Sequence, residues 1–157
     1  MQKKIVIHFE TIENQALSPA EKQLKLEAEQ ALQKAYAPYS NFKVGCSILL
    51  ENGAIVSGAN QEVAAYPVCI CAEGSALSTA SSMHPNVPVK AIFIVAQNTQ
   101  GMVLGAAPCG VCRQRMVEYE QRFNNSIAVY LPETTHTTLK IESAKDLLPL
   151  TFTAEKL

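Results

Sequence analysis

The placement of the cysteines restricts this chain more than any other feature. They stand at positions 46, 69, 71, 109 and 112 of 157 residues. Residues Cys71 to Met83 read as a helix of small residues, and Pro108 to Phe123 as a second helix. Cys71 opens the first helix, and Cys109 and Cys112 open the second. Residues three apart at a helix start project to the same side. A shared site for these sulfurs requires a fold that brings the two helix starts together. An odd cysteine count without a secretory leader points to a reducing compartment and away from a disulfide framework.

The rest of the chain supplies a matching α/β pattern. Ser18-Pro19-Ala20-Glu21 is a helix start, with Ser at the cap, Pro at the first turn and Glu completing a capping box. Leu24, Ala28, Ala31, Leu32 and Ala35 follow helical spacing, and the helix is expected to end near Tyr36 to Pro38. Lys43 to Leu50 and Ala54 to Ser57 read as strands joined by Glu51-Asn52-Gly53, an Asn-Gly hairpin signal. Val89 to Ala96 is a near-continuous apolar strand, which asks for cover on both faces. Ile127 to Leu131 and Thr137 to Ile141 are two further strands, and Ser143 to Leu148 is a short helical turn. Residues 3 to 11 are extended and β-branched, a strand or an arm. The order predicts an α/β fold: a three-layer α/β/α domain around a central mixed sheet of roughly five strands.

Composition limits the partners. The hydrophobic content is 48%, charged residues make up 17% and the formal net charge is -1. No Lys/Arg block offers a footprint for a nucleic acid. No signal-peptide h-region is visible at the N-terminus, and no apolar run approaches the ~20 residues of a membrane span. The expectation is a cytoplasmic protein acting on a small or neutral substrate, with no nucleic acid and no membrane among its partners.

Cys71, Cys109 and Cys112 are candidate ligands for Zn2+. Helix N-termini stabilise thiolates, the form that binds zinc. Three protein ligands leave a fourth position for water, the pattern of a catalytic site, and zinc can bring the pKa of that water to ~7. Glu73, two residues after Cys71, is placed to take a proton from that water and return it to a substrate.

Beyond these residues the chain resembles the homotetrameric cytidine deaminases. The similarity lies in Ala35-Tyr36-Ala37-Pro38-Tyr39-Ser40-Asn41-Phe42-Lys43-Val44-Gly45, in Asn60-Gln61-Glu62 with Ala65-Tyr66-Pro67, and in Cys71-Ala72-Glu73. It continues in Pro108-Cys109-Gly110-Val111-Cys112-Arg113-Gln114 and in Leu147-Leu148-Pro149 with Phe152. The resemblance implies one deaminase-like domain over residues 1–157, with 1–17 as its strand or arm. It implies hydrolytic deamination of a free pyrimidine nucleoside, cytidine or deoxycytidine, in pyrimidine salvage. Phe42 would stack on the base, Asn60 and Glu62 would hold the ribose, and the Ala72 backbone would contact the base. Glu73 would reach N3 and the amino group. Tyr66 and Phe152 would lie at subunit contacts near a neighbouring site of a homotetramer.

Two positions depart from the family. Gly74 stands where an arginine usually follows Cys-Ala-Glu and bonds the thiolates, and Val63 stands where Asn usually follows the ribose-binding Glu. Without that guanidinium the zinc shell is more electron-rich, which implies a differently tuned, slower enzyme. The helix N-termini would then offset the thiolate charge, and Arg113 either joins them or pairs structurally. Three other readings stay open: a redox Cys-x-x-Cys pair, a closed four-thiolate zinc site including Cys69, and a deaminase of another cytosine nucleoside such as a blasticidin-type compound. Cys46 reads as core, and His8, His84 and His136 as surface or loop residues.

Overall fold

The chain begins its regular structure late. The structure, a computed structural model, describes residues 1–153. Strand β1 spans Phe9–Glu13 and pairs antiparallel with β7, Thr137–Ile141. The extended segment expected at 3–11 is therefore displaced. Ile5 and Val6 are exposed, because the five-residue partner strand has paired with Phe9–Glu13 and offers nothing further upstream.

Helix α1, Pro19–Leu32, starts where the capping box places it: Ser18 accepts from the Glu21 amide, and the Glu21 carboxylate accepts from the Ser18 amide. It stops short of the expected Tyr36–Pro38. The Tyr36 amide donates to the Asn60 carbonyl and the Glu62 amide donates to the Tyr36 carbonyl, so this stretch lies against the 60–62 loop instead. Strands β2, Lys43–Leu50, and β3, Ile55–Ala59, form the predicted hairpin, with Gly53 at φ +84 in its turn. Helix α2 is Ala72–Met83, β4 is Val89–Asn98, α3 is Gly110–Phe123 and β6 is Ala128–Pro132.

The sheet has seven strands rather than about five, in the order β1-β7-β6-β4-β2-β3, with β5 (Gly101–Val103) pairing to the end of β4. Besides the displaced β1, β5 is the addition. Three residues are too few to show an alternating pattern, and only pairing with Ala96–Asn98 makes them a strand. Strands β4 and β6 run parallel and the other pairs antiparallel, so the sheet is mixed.

Both faces are covered, which accounts for the apolar run of β4. On one side α1 packs Leu24, Ala28 and Leu32 against Phe93, Val95 and Tyr130. On the other, α2 and α3 pack Ala76, Leu77, Met116 and Val117 against Cys46, Ile48, Ile92 and Ile94. Two glycines set how closely the helices approach. A Cβ at Gly45 would stand 2.2 Å from the Ala28 carbonyl oxygen in α1, and one at Gly58 would stand 2.5 Å from the Ala76 amide in α2. The second contact presses the start of α2 onto the sheet. Glu120, fully buried in α3, accepts from the Ile127, Ala144 and Lys145 amides and the Ser143 hydroxyl. It ties α3 to β6 and to the 3-10 turn Ala144–Leu147.

Candidate metal centre and active site

The two helix starts converge. Cys71 is the N-cap residue of α2 and Cys109 that of α3, both with extended backbone, and Cys112 sits one turn into α3. Neither cap side chain is spent on a capping hydrogen bond, so both sulfurs are free to turn toward each other. The three Sγ atoms lie within 4.8 Å of one another.

This donor set fits zinc. Tetrahedral zinc with bonds of about 2.3 Å to sulfur spaces its ligands about 3.8 Å apart. The Cys71 and Cys109 sulfurs are 3.8 Å apart. The Cys71 thiol is held down at about 6, chiefly by its hydrogen bond with Cys112. Burial and the Glu73 charge oppose this, while Cys109 and the Arg115 charge assist it. Cys112 is pushed up by the same bond and by burial. Cys71 therefore gives up its proton readily, whereas Cys112 holds its own. A cation is needed before all three can be thiolates.

Cys69 takes no part. Its sulfur accepts from the Val63 amide at 3.2 Å and faces the Val63 carbonyl at 3.5 Å, holding the loop rather than the cluster. Among the described residues the sulfur group contains three cysteines, not four. All five cysteines are free thiols. Cys46 is core, with its thiol pushed up by burial and by Glu73.

Glu73 follows Cys71 in the first turn of α2 and is 4% exposed. Burial raises its pKa, against weaker bonds from its own backbone amide and from Cys112. A carboxyl held beside the sulfurs is placed to receive and return a proton.

Cys71, Glu73 and Cys109 line a cavity of about 710 Å³. Its apolar wall comes from Val44, Ile94 and Ala96 of β2 and β4, Val103 of β5, and Ala106 and Ala107 beyond it. The opposite lining is Phe42, Asn60, Glu62, Tyr66, Cys69 and Ile70, with Tyr39 and Ser40. Asn60 donates to the Phe42 carbonyl at 2.9 Å and accepts from the Val44 amide at 2.8 Å. It still has one N–H and one lone pair to offer. Glu62 accepts from the Tyr39 and Ser40 amides and from the Ser40 hydroxyl, and the Ser40 bond leads in holding its pKa down. A carboxylate with about four acceptor sites has one left over.

Two expected site residues stand apart. Ala72, expected to act through its backbone, is buried in the first turn of α2 between Cys71 and Glu73 and is not among the lining residues. Phe152 is also absent from the lining: its ring is 58% exposed, and its carbonyl accepts from Gln114 at 2.8 Å. Tyr66 is at the mouth, 67% exposed, edge-on to Tyr39 at 5.7 Å. Arg113 bonds the Pro108 and Leu147 carbonyls, a structural pairing. Sequence reasoning missed Arg115, whose guanidinium reaches α2 beside the cluster. Its place three residues after Cys112 was the available signal. The alanines of 106–107 and Val103 were missed because β5 was not foreseen.

An α/β sheet with a trithiolate centre at two helix starts, over a buried glutamate, defines the class. Residues 19–125 match the family described as the cytidine and deoxycytidylate deaminase zinc-binding region, and the chain belongs to that family, with zinc as its metal. It is 40% identical over 131 residues to a cytidine deaminase of Sporosarcina psychrophila, covering 83% of this chain and 90% of the relative. A cytidine deaminase of Halalkalibacterium halodurans is 40% identical over 129 residues, covering 82% and 91%. The crystal structure of a Burkholderia pseudomallei cytidine deaminase superposes with a TM-score of 0.70 at 37% identity, over 83% of this chain and 98% of that one.

Proposed function

We propose that this chain hydrolyses free cytidine and deoxycytidine to uridine, deoxyuridine and ammonia. The observation that carries the reading is Glu73, a buried carboxyl lining the same cavity as the Cys71 and Cys109 sulfurs. Cys71, Cys109 and Cys112 would hold the zinc, which when bound lowers the pKa of a water to about 7. Glu73 takes the proton of the attacking water and passes it to N3 of the pyrimidine. The carboxylate then takes the second proton, from the hydroxyl now on C4, and delivers it to the departing amino group as the C4–N bond breaks and the C4 carbonyl forms, the logic general to zinc deaminases. Phe42 packs on the base. The spare acceptor of Glu62 and the spare groups of Asn60 suit ribose hydroxyls, and the apolar wall keeps bulk water from the ring.

A cavity with an apolar wall, two carboxylates and no Lys or Arg in its lining, in a chain of net charge -1, suits a nucleoside better than a nucleic acid. Among the described residues no helix is long and apolar enough to cross a membrane. The reading places the enzyme in the cytoplasm, in pyrimidine salvage, as one deaminase domain assembled into a homotetramer. The exposed rings of Tyr66 and Phe152 are the surfaces such neighbours would cover.

Glu73→Ala should keep its zinc and lose turnover by a factor of at least about 10³, the upper range for a general acid–base residue. Metal analysis and the fall in cytidine absorbance measure the two. A variant that turns over cytidine at the parent rate would refute the role.

A further inference from the structure

The charge balance of the metal centre leaves a question that the cysteines do not answer. Zinc with three thiolates carries about one net negative charge. The cluster lies against a sheet face that is fully apolar, and Glu73 adds a further acidic group beside it. The N-termini of α2 and α3 contribute partial positive charge. Arg113 spends its Nε and Nη1 groups on the Pro108 and Leu147 carbonyls rather than on a cysteine sulfur.

Arg115 is the cation in the right place. It lies on α3 one turn beyond Cys112, on the same side of the helix. Its side chain crosses to α2, where one terminal nitrogen donates to the Ser78 hydroxyl at 2.9 Å. The other, Nη1, stands 2.9 Å from where a Cβ at Gly74 would be. Gly74 is buried in the first turn of α2, the turn capped by Cys71, with Ile70 on its other side. Any side chain at position 74 would occupy the space that the guanidinium uses. The glycine and the arginine are thus two halves of one arrangement: α2 gives up a side chain in its opening turn and α3 fills the gap with a cation.

We propose that Arg115 is a positioning residue of the metal centre, set against Gly74 to offset the charge of the thiolate shell. It rests on the reading that Cys71, Cys109 and Cys112 hold the zinc. The position 74 departure is then no deficit. The missing guanidinium enters from the neighbouring helix instead of from α2.

The test uses the zinc-loaded protein and two readouts besides activity: zinc affinity in competition with a chelator, and the thiolate-to-metal charge-transfer band of the cobalt-substituted protein. Arg115→Gln keeps a polar side chain but removes the charge. It should weaken zinc binding by about tenfold or more, as loss of an outer partner of a metal ligand does. It should also shift the cobalt band to lower energy, because the thiolates become more electron-rich. Arg115→Lys should recover most of both. If Arg115→Gln matches the parent in affinity and band, or if the Gln and Lys variants lose equally, the proposal is overturned. Gly74→Ala provides an independent arm, because its Cβ displaces Nη1. The same two changes are expected there in milder form, and an unchanged protein would count against the proposal even if Arg115→Gln does not fold. Cys109→Ser separates this from the underlying reading. Full zinc retention in that variant would sink the ligand set, whereas zinc loss there beside a parent-like Arg115→Gln would sink only Arg115.

Discussion

At the residue scale, the site is built from groups that already have partners and keep something in reserve. Glu62 spends three acceptor positions on Tyr39 and Ser40, and so shapes the entry segment before any ligand arrives. Glu62→Gln exchanges one acceptor oxygen for a donor facing donors. Both the segment and the ribose contact should suffer. A fall in kcat/KM of roughly tenfold or more is expected, mostly through KM, the size of one hydrogen bond to a charged group. Steady-state kinetics with cytidine would show it, and an unchanged KM would remove Glu62 from the ribose site. The cysteines and Glu73 were legible from spacing, because a capping position and the residues after it have nearly fixed directions relative to their own helix. The exclusion of Cys69 was not legible. It depends on the Val63 amide, brought within reach by the fold of the 60–70 loop.

At the element scale, α1 and α2 show two ways in which sequence sets a helix. The start of α1 is local. Ser18→Ala removes the acceptor for the Glu21 amide and should cost about 1 kcal/mol. Glu21 adds a pH dependence. Burial raises its pKa, but hydrogen bonds from Tyr130 and Ser18 and the charge of Lys140 outweigh that, and the net value is below 4.5. A carboxyl depressed in the folded state stabilises above its unfolded pKa, and that contribution is lost as pH falls through the folded value. Glu21→Gln should therefore lower the melting temperature most at neutral pH. The difference should close as pH falls below 4.5. A constant gap across pH would contradict it. The seat of α2 depends instead on contact with β3. Gly58→Ala places a methyl 2.5 Å from the Ala76 amide, which belongs to backbone and cannot step aside. Overpacking of this kind costs about 1–3 kcal/mol. Because that contact holds the end of α2 carrying Cys71, zinc affinity should fall along with the melting temperature. Denaturation alone, with zinc binding intact, would show that the two are not coupled.

At the scale of the whole molecule, the cavity opens beside the exposed rings of Tyr39 and Tyr66, and Phe152 is exposed apart from it. Tyr66 and Phe152 are 67% and 58% exposed, an expensive way to leave large apolar rings in water. The tetramer reading predicts a solution mass near four chains by sedimentation equilibrium. Tyr66→Ser should shift that mass downward and lower activity together, and a fully active monomer would refute it. The α/β class and the cover on both faces of β4 were visible in advance, since a continuous apolar strand between helical patterns has few other solutions. The strand count was not. β1 slid to Phe9–Glu13 and β5 formed at Gly101–Val103 because pairing partners, not propensity, decide where short edge strands form.

The sequence by itself determined the candidate chemistry: which sulfurs stand where they can bind a metal, which carboxyl stands where it can move protons, and that a shared site needs two helix starts to meet. Those are matters of local geometry, fixed by position relative to a helix cap. Only the tertiary structure decided what surrounds them. Arg115 reaches the bare backbone of Gly74 from another helix, Cys69 turns to Val63, and Arg113 is drawn off to Leu147. Each depends on segments far apart in the chain packing side by side, and residue spacing holds no record of that contact.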